Sequence, residues 1–381
     1  MIISSCFDGG NIEVLTIDPS GRADLAIRTD TNSDHFQWFY FKVTADVGAT
    51  IVLRLTGLNK SSYANAWDGY TAVVSADAEN WLRAPTTYES GVMTITLDMV
   101  APQMSVAYFA PYSLDRNSAA VSKALASGRF AYDILGQSVD GRDIERLRFG
   151  SHAVAKGDAG KGVARPPVWI IARQHPGESM ASWWMEGALE MLSDPEDPVA
   201  NGLRDAVDLH IVPLMNPDGA YRGHLRTNTP GADLNREWAE PSPERSPEVL
   251  CVRNEMDKTG VALFLDIHGD EELPYNFIEG FEGVASASDA MLEGLNAFRD
   301  RLCALSPDFQ KQYGYPVAKP GGANLNVASQ QVAERYRAIS MTMEMPFKDN
   351  AVRPIPEVGW SPERAKHLAR ASLQAILMQR Y

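Results

Sequence analysis

Apolar segments alternate with helical patterns over the second part of the chain, and this alternation restricts the fold more than any other feature of the sequence. The apolar segments cover residues 168–172, 207–214, 261–267 and 338–343, and the helical patterns cover 179–192, 286–305 and 361–379. Strands that alternate with helices are typical of a layered α/β domain with a mostly parallel sheet. We therefore predict a mixed, largely parallel central sheet flanked by helices.

The first 115 residues have a different pattern, in which short runs rich in β-branched and aromatic residues are separated by turn-forming residues. These runs cover residues 12–17, 36–43, 50–55, 70–74, 92–97 and 105–109. Short strands at this spacing predict an antiparallel β-sandwich. We expect a β-sandwich domain over residues 1–115, interpreted as a structural or docking module, followed by the α/β domain over residues 116–381.

The overall composition excludes several classes of protein. The chain has 381 residues, of which 45% are hydrophobic, so it can bury a large core. Its formal net charge of -14 argues against nucleic acid or an anionic membrane surface as a partner, because neutralising phosphates requires a basic face. The sequence shows no signal peptide and no apolar run long enough to span a bilayer. We therefore expect a cytoplasmic protein, with its three widely spaced cysteines reduced.

A histidine and a glutamate lie three residues apart, directly after the first apolar segment of the α/β part. They are His175 and Glu178, and the Pro-Gly between them predicts a tight loop rather than a helix. Imidazole nitrogen and carboxylate oxygen are both zinc ligands, and a catalytic zinc uses three protein ligands so that a fourth position stays open. His268, which follows another apolar segment, is our candidate for the third ligand. Taken alone, such a pair also arises by chance, and His268 also fits a hydrogen-bonded core histidine.

Four polar residues share one position relative to the predicted strands. His175, Asn216, His268 and Glu344 all fall at or just after a strand end. In open α/β sheets, ligands bind in the crevice outside the carboxyl ends of the strands. This shared placement supports a functional site more strongly than any single motif does.

Two arginines and an asparagine lie between the halves of the predicted metal site. Asn235 and Arg236 suit a substrate's terminal carboxylate, because a guanidinium binds a carboxylate through two charge-assisted hydrogen bonds and an amide can add a third contact. Arg226 is our candidate for stabilising a developing oxyanion next to the metal. For Arg222 we prefer the alternative, which is a surface charge that balances nearby acids.

Taken together, these motifs give the chain a clear resemblance to a known family. The matching elements span residues 166–350 and occur in one order: His175-Pro-Gly-Glu178, Asn216-Pro-Asp-Gly219, Arg226, Asp233-Leu-Asn-Arg236, His268 and Glu344. The sequence resembles the zinc carboxypeptidases of the carboxypeptidase A type, and specifically the cytosolic carboxypeptidase branch, which carries a β-sandwich ahead of the catalytic domain. Residues 1 to about 115 fit that sandwich.

The resemblance implies a zinc site with one Zn²⁺ per chain. His175, Glu178 and His268 would be the metal ligands. Asp233 would hydrogen-bond His175 from behind, and such carboxylates fix the tautomer of a ligating histidine.

The resemblance also implies roles in the reaction. Glu344 would be the general base, and Arg226 would polarise the scissile carbonyl. Asn235 and Arg236 would hold the terminal carboxylate of the substrate. The expected enzyme is a metallocarboxypeptidase that hydrolyses the C-terminal residue of peptides or protein tails.

The residue that the enzyme removes is not fixed by the resemblance. Animal relatives that trim glutamate carry a basic side chain in the corresponding pocket segment, and residues 319–324 are where we look for it. Ala323 and Asn324 stand there, and Lys319 is the one basic candidate. Tyr313 and Tyr315 precede this loop, and we include neither in the catalytic set. Glutamate preference is therefore an open alternative.

Two other functions compete with the peptidase. Amidohydrolases of the aspartoacylase and desuccinylase type share the His, Glu, His zinc arrangement and an Asp-Leu-Asn-Arg element, and would cleave N-acyl amino acids. A non-catalytic peptide-binding protein with an inactive pocket is the third hypothesis. The Asn-Pro-Asp-Gly element and the preceding sandwich favour the peptidase.

Overall fold

Two five-stranded sheets form the first part of the chain in the computed structural model, which describes residues 1–150 and 165–380. The first sheet contains, in spatial order, β1 (Ile2–Ser4), β4 (Tyr40–Thr44), β10 (Gln103–Ala107), β6 (Val73–Ser75) and β7 (Leu82–Arg83). The second contains β2 (Glu13–Ile17), β3 (Arg22–Ala26), β5 (Thr50–Leu55), β9 (Val92–Asp98) and β8 (Thr86–Glu89). Alternate residues of β4, β5 and β9 are buried, as expected for strands with one face on a core.

The predicted antiparallel sandwich is confirmed, with one local exception. Neighbouring strands in both sheets run antiparallel except β3 and β5, which pair in parallel. Residues 36–39, predicted as the start of a strand, lie outside β4, although Trp38 and Phe39 are buried. Their aromatic side chains pack in the core, so the apolar run in the sequence reflects burial here and not a strand.

A seven-stranded mixed sheet forms the centre of the second part of the chain. Its spatial order is β11 (Phe130–Gln137), β12 (Asp143–Phe149), β14 (Asp208–Val212), β13 (Pro167–Ala172), β15 (Leu263–Ile267), β17 (Ile339–Glu344) and β16 (Phe277–Glu279). The inner strands β14, β13, β15 and β17 are parallel, and the outer strands pair antiparallel. The largely parallel sheet predicted from the alternating pattern is confirmed.

Helices cover both faces of this sheet. They are α1 (Leu114–Ala126), α2 (Ser179–Ser193), α3 (Pro198–Ala206), α4 (Pro217–Arg222), α5 (Pro247–Thr259), α6 (Asp289–Leu305), α7 (Ala328–Tyr336) and α8 (Pro362–Leu377). On β13, Val168 and Ile170 belong to the same buried cluster as residues of α2 and α8, whereas Trp169 and Ile171 pack with α5 and α7. A strand buried on both faces explains the unbroken apolar run in the sequence.

A buried carboxyl group in the first turn of α5 should make the stability of the fold depend on pH. Glu248 is fully buried and accepts a hydrogen bond of 3.3 Å from Asn228, and burial raises its pKa from 4.5 to about 7. The folded chain therefore holds a proton that the unfolded chain has lost, so stability falls as pH rises from about 4.5 to about 7.

Glu248→Gln is expected to remove this pH dependence. A pKa difference of this size corresponds to about 3 kcal/mol, so the variant should be more stable than the wild type by roughly that amount near pH 8 and equal to it near pH 4. Urea unfolding at both pH values measures this, with the exposed Glu244→Gln as the control. Equal stabilisation of the variant at the two pH values would show that ionisation of Glu248 does not cause the pH dependence of stability.

Candidate active site

The carboxyl ends of the four inner strands meet at one edge of the sheet, and polar residues follow each of them. His175 follows β13, Asn216 follows β14, His268 follows β15, and Glu344 is the last residue of β17. The parallel pairing places these ends side by side. The edge is therefore the crevice in which α/β sheets bind ligands.

A strained turn carries the chain from β13 into the histidine-glutamate loop. Arg173 has a left-handed backbone with φ of 63°, a conformation that residues other than glycine rarely adopt and that often marks functional sites. Its buried guanidinium stabilises the loop by donating to the Pro176 carbonyl at 2.6 Å and to Ser182 Oγ at 2.9 Å. Gly177 then passes so close to the Leu225 carbonyl that a Cβ would lie 2.9 Å from it. This close approach requires glycine.

Three donor atoms converge at the end of this loop. Nδ1 of His175 lies 2.6 Å from Oε1 of Glu178, and Nδ1 of His268 lies 2.9 Å from Oε2 of the same carboxylate. The two Nδ1 atoms are 3.2 Å apart. Within the described ranges these three residues form the single group of histidine, cysteine and acidic side chains whose donor atoms converge closely enough to hold a metal ion.

The outer nitrogens of both histidines face carboxylates. Nε2 of His175 lies 3.0 Å from Oδ1 of Asp233, and Nε2 of His268 lies 2.9 Å from Oδ2 of Asp266. A proton on Nε2 of each imidazole, hydrogen-bonded to its carboxylate, would leave Nδ1 free to act as a metal ligand. Asp266 was missed from the sequence, where its position two residues before His268 on a strand is the one signal for it.

This arrangement fits a zinc ion. The two Nδ1 atoms lie 3.2 Å apart beside the Glu178 carboxylate, and two ligand nitrogens of a tetrahedral zinc lie about 3.3 Å apart. Although burial opposes ionisation, the two imidazoles hold the pKa of Glu178 well below its usual range. His175, Glu178 and His268 therefore offer the charge and the spacing of a three-ligand zinc site.

Arg226 reaches the same site from a loop that the N-terminal sheets hold in place. Its Nε donates to Oδ2 of Asp233 at 2.8 Å, and its Nη1 donates to the hydroxyl of Tyr63 at 2.5 Å. The carboxylate of Asp30 accepts the backbone N–H groups of residues 225–227 at 2.6 to 2.9 Å. Asp30 and Tyr63 both come from the first part of the chain and were not predicted from the sequence.

Asn235 and Arg236 lie in a short 3₁₀ helix, Leu234–Arg236. Oδ1 of Asn235 accepts from the backbone N–H of Ala328 at 2.8 Å, which leaves the amide N–H groups free to donate. The guanidinium of Arg236 donates to the Asn235 carbonyl at 2.7 Å, and no acidic residue of the described chain forms an ion pair with it. This side chain is available to bind an anion.

Glu344 is buried and its Oε2 has no hydrogen-bond partner in the described part of the chain. Burial raises the pKa of this carboxyl group well above its usual value. A raised pKa brings a carboxylate closer to the range in which it exchanges protons near neutral pH. Such an unpaired, desolvated carboxylate is suited to general-base chemistry.

Most of these groups line one cavity of about 340 Å³, which we call the active-site cavity, and His268 reaches it through its contact with Glu178. Its walls are formed by Tyr63, His175, Glu178, Arg226, Asn235, Arg236, Gly269, Asp270, Glu271, Glu272, Glu279, Tyr315, Val327 and Glu344. The structure therefore brings together the predicted ligands, base, arginines and asparagine.

The residues to which the sequence analysis assigns no definite role in the site lie in different places. Tyr315 lines the active-site cavity, and its hydroxyl donates to Asp270. Tyr313 stacks on Tyr275 outside it. Lys319 is exposed and does not line the cavity, and Arg222 pairs with Asp140 near the surface.

Comparison with known proteins identifies the class that this fold and site define. Residues 3–109 match the cytosolic carboxypeptidase N-terminal domain, and residues 121–291 match the zinc carboxypeptidase domain. The structure is similar to a metallo-carboxypeptidase from Burkholderia cenocepacia, with a TM-score of 0.93 and 41% identity over 99% of this chain and 98% of that one. The chain belongs to the zinc carboxypeptidase family and is a zinc-dependent metallocarboxypeptidase.

Two further relatives place the chain within the family. A metallo-carboxypeptidase from Pseudomonas aeruginosa, solved in complex with (2-guanidinoethylmercapto)succinic acid, has a TM-score of 0.93 and 43% identity over 99% of this chain and 98% of that one. Cytosolic carboxypeptidase 6 of Caenorhabditis elegans is 26% identical over 84% of this chain and 74% of its own length. The chain belongs to the cytosolic carboxypeptidase branch, as the sequence motifs predict. None of the helices in the described ranges is sufficiently long and apolar to cross a lipid bilayer.

Proposed function

We propose that the eight predicted residues have the roles in peptide hydrolysis that the family resemblance implies. His175, Glu178 and His268 hold one zinc ion, and Asp233 orients His175 while pairing with Arg226. When bound, zinc supplies a Lewis acid for the scissile carbonyl and lowers the pKa of water to about 7. The observation that carries this proposal is the cavity whose walls bring His175 and Glu178 together with Glu344 and with Arg236, an arginine that has no acidic partner among the described residues.

The substrate is held by its terminal carboxylate. Arg236, which has no acidic partner among the described residues, binds that carboxylate through its guanidinium, and the free amide of Asn235 adds a further donor. The (2-guanidinoethylmercapto)succinic acid bound by the Pseudomonas relative also carries carboxyl groups. We expect this chain to bind the same compound at Arg236.

Glu344 and Arg226 act on the bond next to that carboxylate. Glu344 takes a proton from the attacking water and returns it to the nitrogen of the leaving amino acid. Arg226 remains protonated, because Asp233 and other nearby acids keep its pKa high although burial opposes this. Its positive charge stabilises the negative oxygen that develops on the scissile carbonyl.

The same proposal covers the domain organisation, the substrate and the location. Residues 1–115 form the N-terminal domain and residues 116–381 the catalytic domain. The substrate is the C-terminal end of a peptide or protein tail, and the net charge of -14 supports a partner that is neither nucleic acid nor an anionic membrane. The relatives named cytosolic carboxypeptidases support a cytoplasmic location.

Metal content tests the ligand assignment directly. The purified chain should hold one zinc per molecule, and dialysis against a chelator should remove both the zinc and the release of C-terminal residues from peptides. His268→Ala should fail to retain zinc, whereas His367→Ala, which changes an exposed histidine on α8, should retain it. Undiminished peptide hydrolysis without metal would contradict the proposal, and faster release from N-acyl amino acids than from peptides would favour the amidohydrolase.

A further inference from the structure

A further cavity lies at the junction between the two parts of the chain, away from the active-site cavity. Its volume is about 190 Å³, whereas one water molecule occupies about 30 Å³ of the liquid, so it has room for a ligand of several heavy atoms. No residue of the described chain lines both cavities. We call it the junction cavity, and its walls include Asp8, Trp38, Tyr40, Trp81, Tyr112 and Arg173.

Arg173 brings to this cavity a positive charge that forms no ion pair with any acidic side chain of the described residues. It is 3% exposed, and its Nε and Nη1 donate to Pro176 and Ser182, whereas its Nη2 has no hydrogen-bond partner in the described ranges. The titratable groups that act most strongly on it are Asp8 and Tyr112, which line the same cavity. Burying a charge is unfavourable unless a partner compensates it. Nη2 is therefore available to an anionic group in the junction cavity.

Asp8 brings a carboxyl group to the same cavity. Its Oδ2 accepts from the backbone N–H of Leu114 at 2.7 Å, whereas its Oδ1 has no hydrogen-bond partner among the described residues. Burial raises the pKa of this carboxyl group, and the Leu114 N–H and the charge of Arg173 offset that rise only in part. A cationic donor beside Oδ1 would stabilise the ionised form. Asp8 and Arg173 influence each other without forming an ion pair, which leaves room for a ligand between them.

The other polar groups on these walls already have partners. Arg116 donates to both carboxylate oxygens of Glu186 at 2.7 and 2.9 Å and also pairs with Glu79. The indole N–H groups of Trp38 and Trp81 donate to backbone carbonyls at 2.9 and 3.2 Å. The two indoles therefore offer ring surface to a ligand, and the charges that remain to be matched are those of one guanidinium and one carboxylate.

We propose that the junction cavity binds a free α-amino acid in its zwitterionic form. The ligand's carboxylate accepts from Arg173, and its ammonium group donates to Asp8, both through charge-assisted hydrogen bonds. Its side chain contacts the rings of Trp38 and Trp81, and an aromatic face also attracts an ammonium group. A simple anion would leave Asp8 without a counter-charge, and a simple cation would leave Arg173 without one. An α-amino acid carries both charges on neighbouring atoms and matches both groups.

Such a ligand connects the first part of the chain to the turn before the proposed metal ligands. Asp8 belongs to the first part, and Arg173 lies two residues before His175. Because a carboxypeptidase releases free amino acids, the enzyme itself produces ligands of this class. The site lies outside the active-site cavity, so the inference does not depend on the catalytic roles proposed above. Binding, rather than hydrolysis, is the quantity that tests it.

Amino acids and analogues that lack one charge test both contacts. The protein would carry Arg236→Gln, so that carboxylate binding in the active-site cavity does not contribute. Each common L-amino acid would be titrated calorimetrically, and the tightest would be compared with its carboxamide and its N-acetyl derivative. We expect saturable binding at a single site, and about 10- to 100-fold weaker binding of each analogue, because each loses one charge-assisted contact. Absence of saturable binding by any amino acid, or equal binding of either analogue, would overturn the proposal.

Asp8→Asn in the same background locates the site. Asparagine keeps an acceptor for the Leu114 N–H but loses the charge, so the affinity for the amino acid should fall about 10- to 100-fold while the zinc content stays the same. Asp115→Asn is the matched control, because Asp115 is exposed and does not line the junction cavity, and it should leave the affinity within about twofold. Unchanged affinity in the Asp8 variant would overturn the proposal. The carboxamide tests Arg173 without a substitution in the loop that Arg173 stabilises.

Discussion

Glu344→Gln is expected to abolish most turnover while the protein keeps its zinc. A positioned general base contributes about 10² to 10⁴ in rate, and glutamine preserves the shape of the side chain but cannot accept the proton. Because Glu344 is not one of the three converging metal donors, zinc content should stay at one per chain. The measurement is kcat with a short peptide together with metal analysis of the same sample.

Glu363→Gln is a suitable control, because Glu363 is exposed on α8 and pairs with the exposed His367. This variant should retain wild-type kcat and zinc. Undiminished turnover in Glu344→Gln would mean that another carboxylate takes the proton. Glu271, another buried acid of the cavity, would then be the residue to test.

Asp30→Asn is expected to damage both stability and activity, although Asp30 does not line the active-site cavity. Its carboxylate accepts three backbone N–H groups from residues 225–227 and the hydroxyl of Thr227 at 3.1 Å. An asparagine presents N–H groups where one of these oxygens was, so at least one buried donor, the N–H of Leu225, loses its acceptor and the other hydrogen bonds lose their charged acceptor. Each lost hydrogen bond costs about 1–3 kcal/mol, and we expect the free energy of unfolding to fall by at least about 1 kcal/mol.

The activity of the Asp30 variant should fall through Arg226. Losing an oxyanion-stabilising group costs about 10² to 10³ in kcat, and a misplaced Arg226 loop should approach this loss with a smaller change in KM. Asp24→Asn, which breaks a partly exposed ion pair with Arg54 on the same sheets, should leave kcat unchanged. A folded Asp30 variant with full kcat would show that the loop keeps its place without this contact.

The sequence predicts that His175, His268 and Glu344 lie close together, because each of them lies at or shortly after the carboxyl end of a strand. Once the strands are parallel, their carboxyl ends must share an edge, and the histidines and Glu344 follow from that geometry. The strand β5 is likewise predicted at its observed residues, because alternate burial on one face leaves a clear pattern. Such features depend on local periodicity, which a single sequence contains.

The parts that escape prediction depend on contacts between distant segments. Asp30 is about two hundred positions from the loop that it holds, and only the docking of the first sheets against that loop reveals its role. Glu279 comes to line the active-site cavity only because the short edge strand β16 pairs with β17, which ends at Glu344. No periodic pattern in the sequence indicates these contacts between distant segments.

The contact of Asp30 and Tyr63 with the Arg226 loop connects the activity of the enzyme to the contact between the two parts of the chain. The first part of the chain holds Arg226, the proposed oxyanion-stabilising group, and the second part carries the proposed metal donors, so we expect hydrolysis to require contact between the two parts. We therefore expect peptidase activity to report whether the two parts of the chain are in contact. We expect a compound that binds between the first part of the chain and the Arg226 loop to inhibit the enzyme without entering the cavity or contacting the metal.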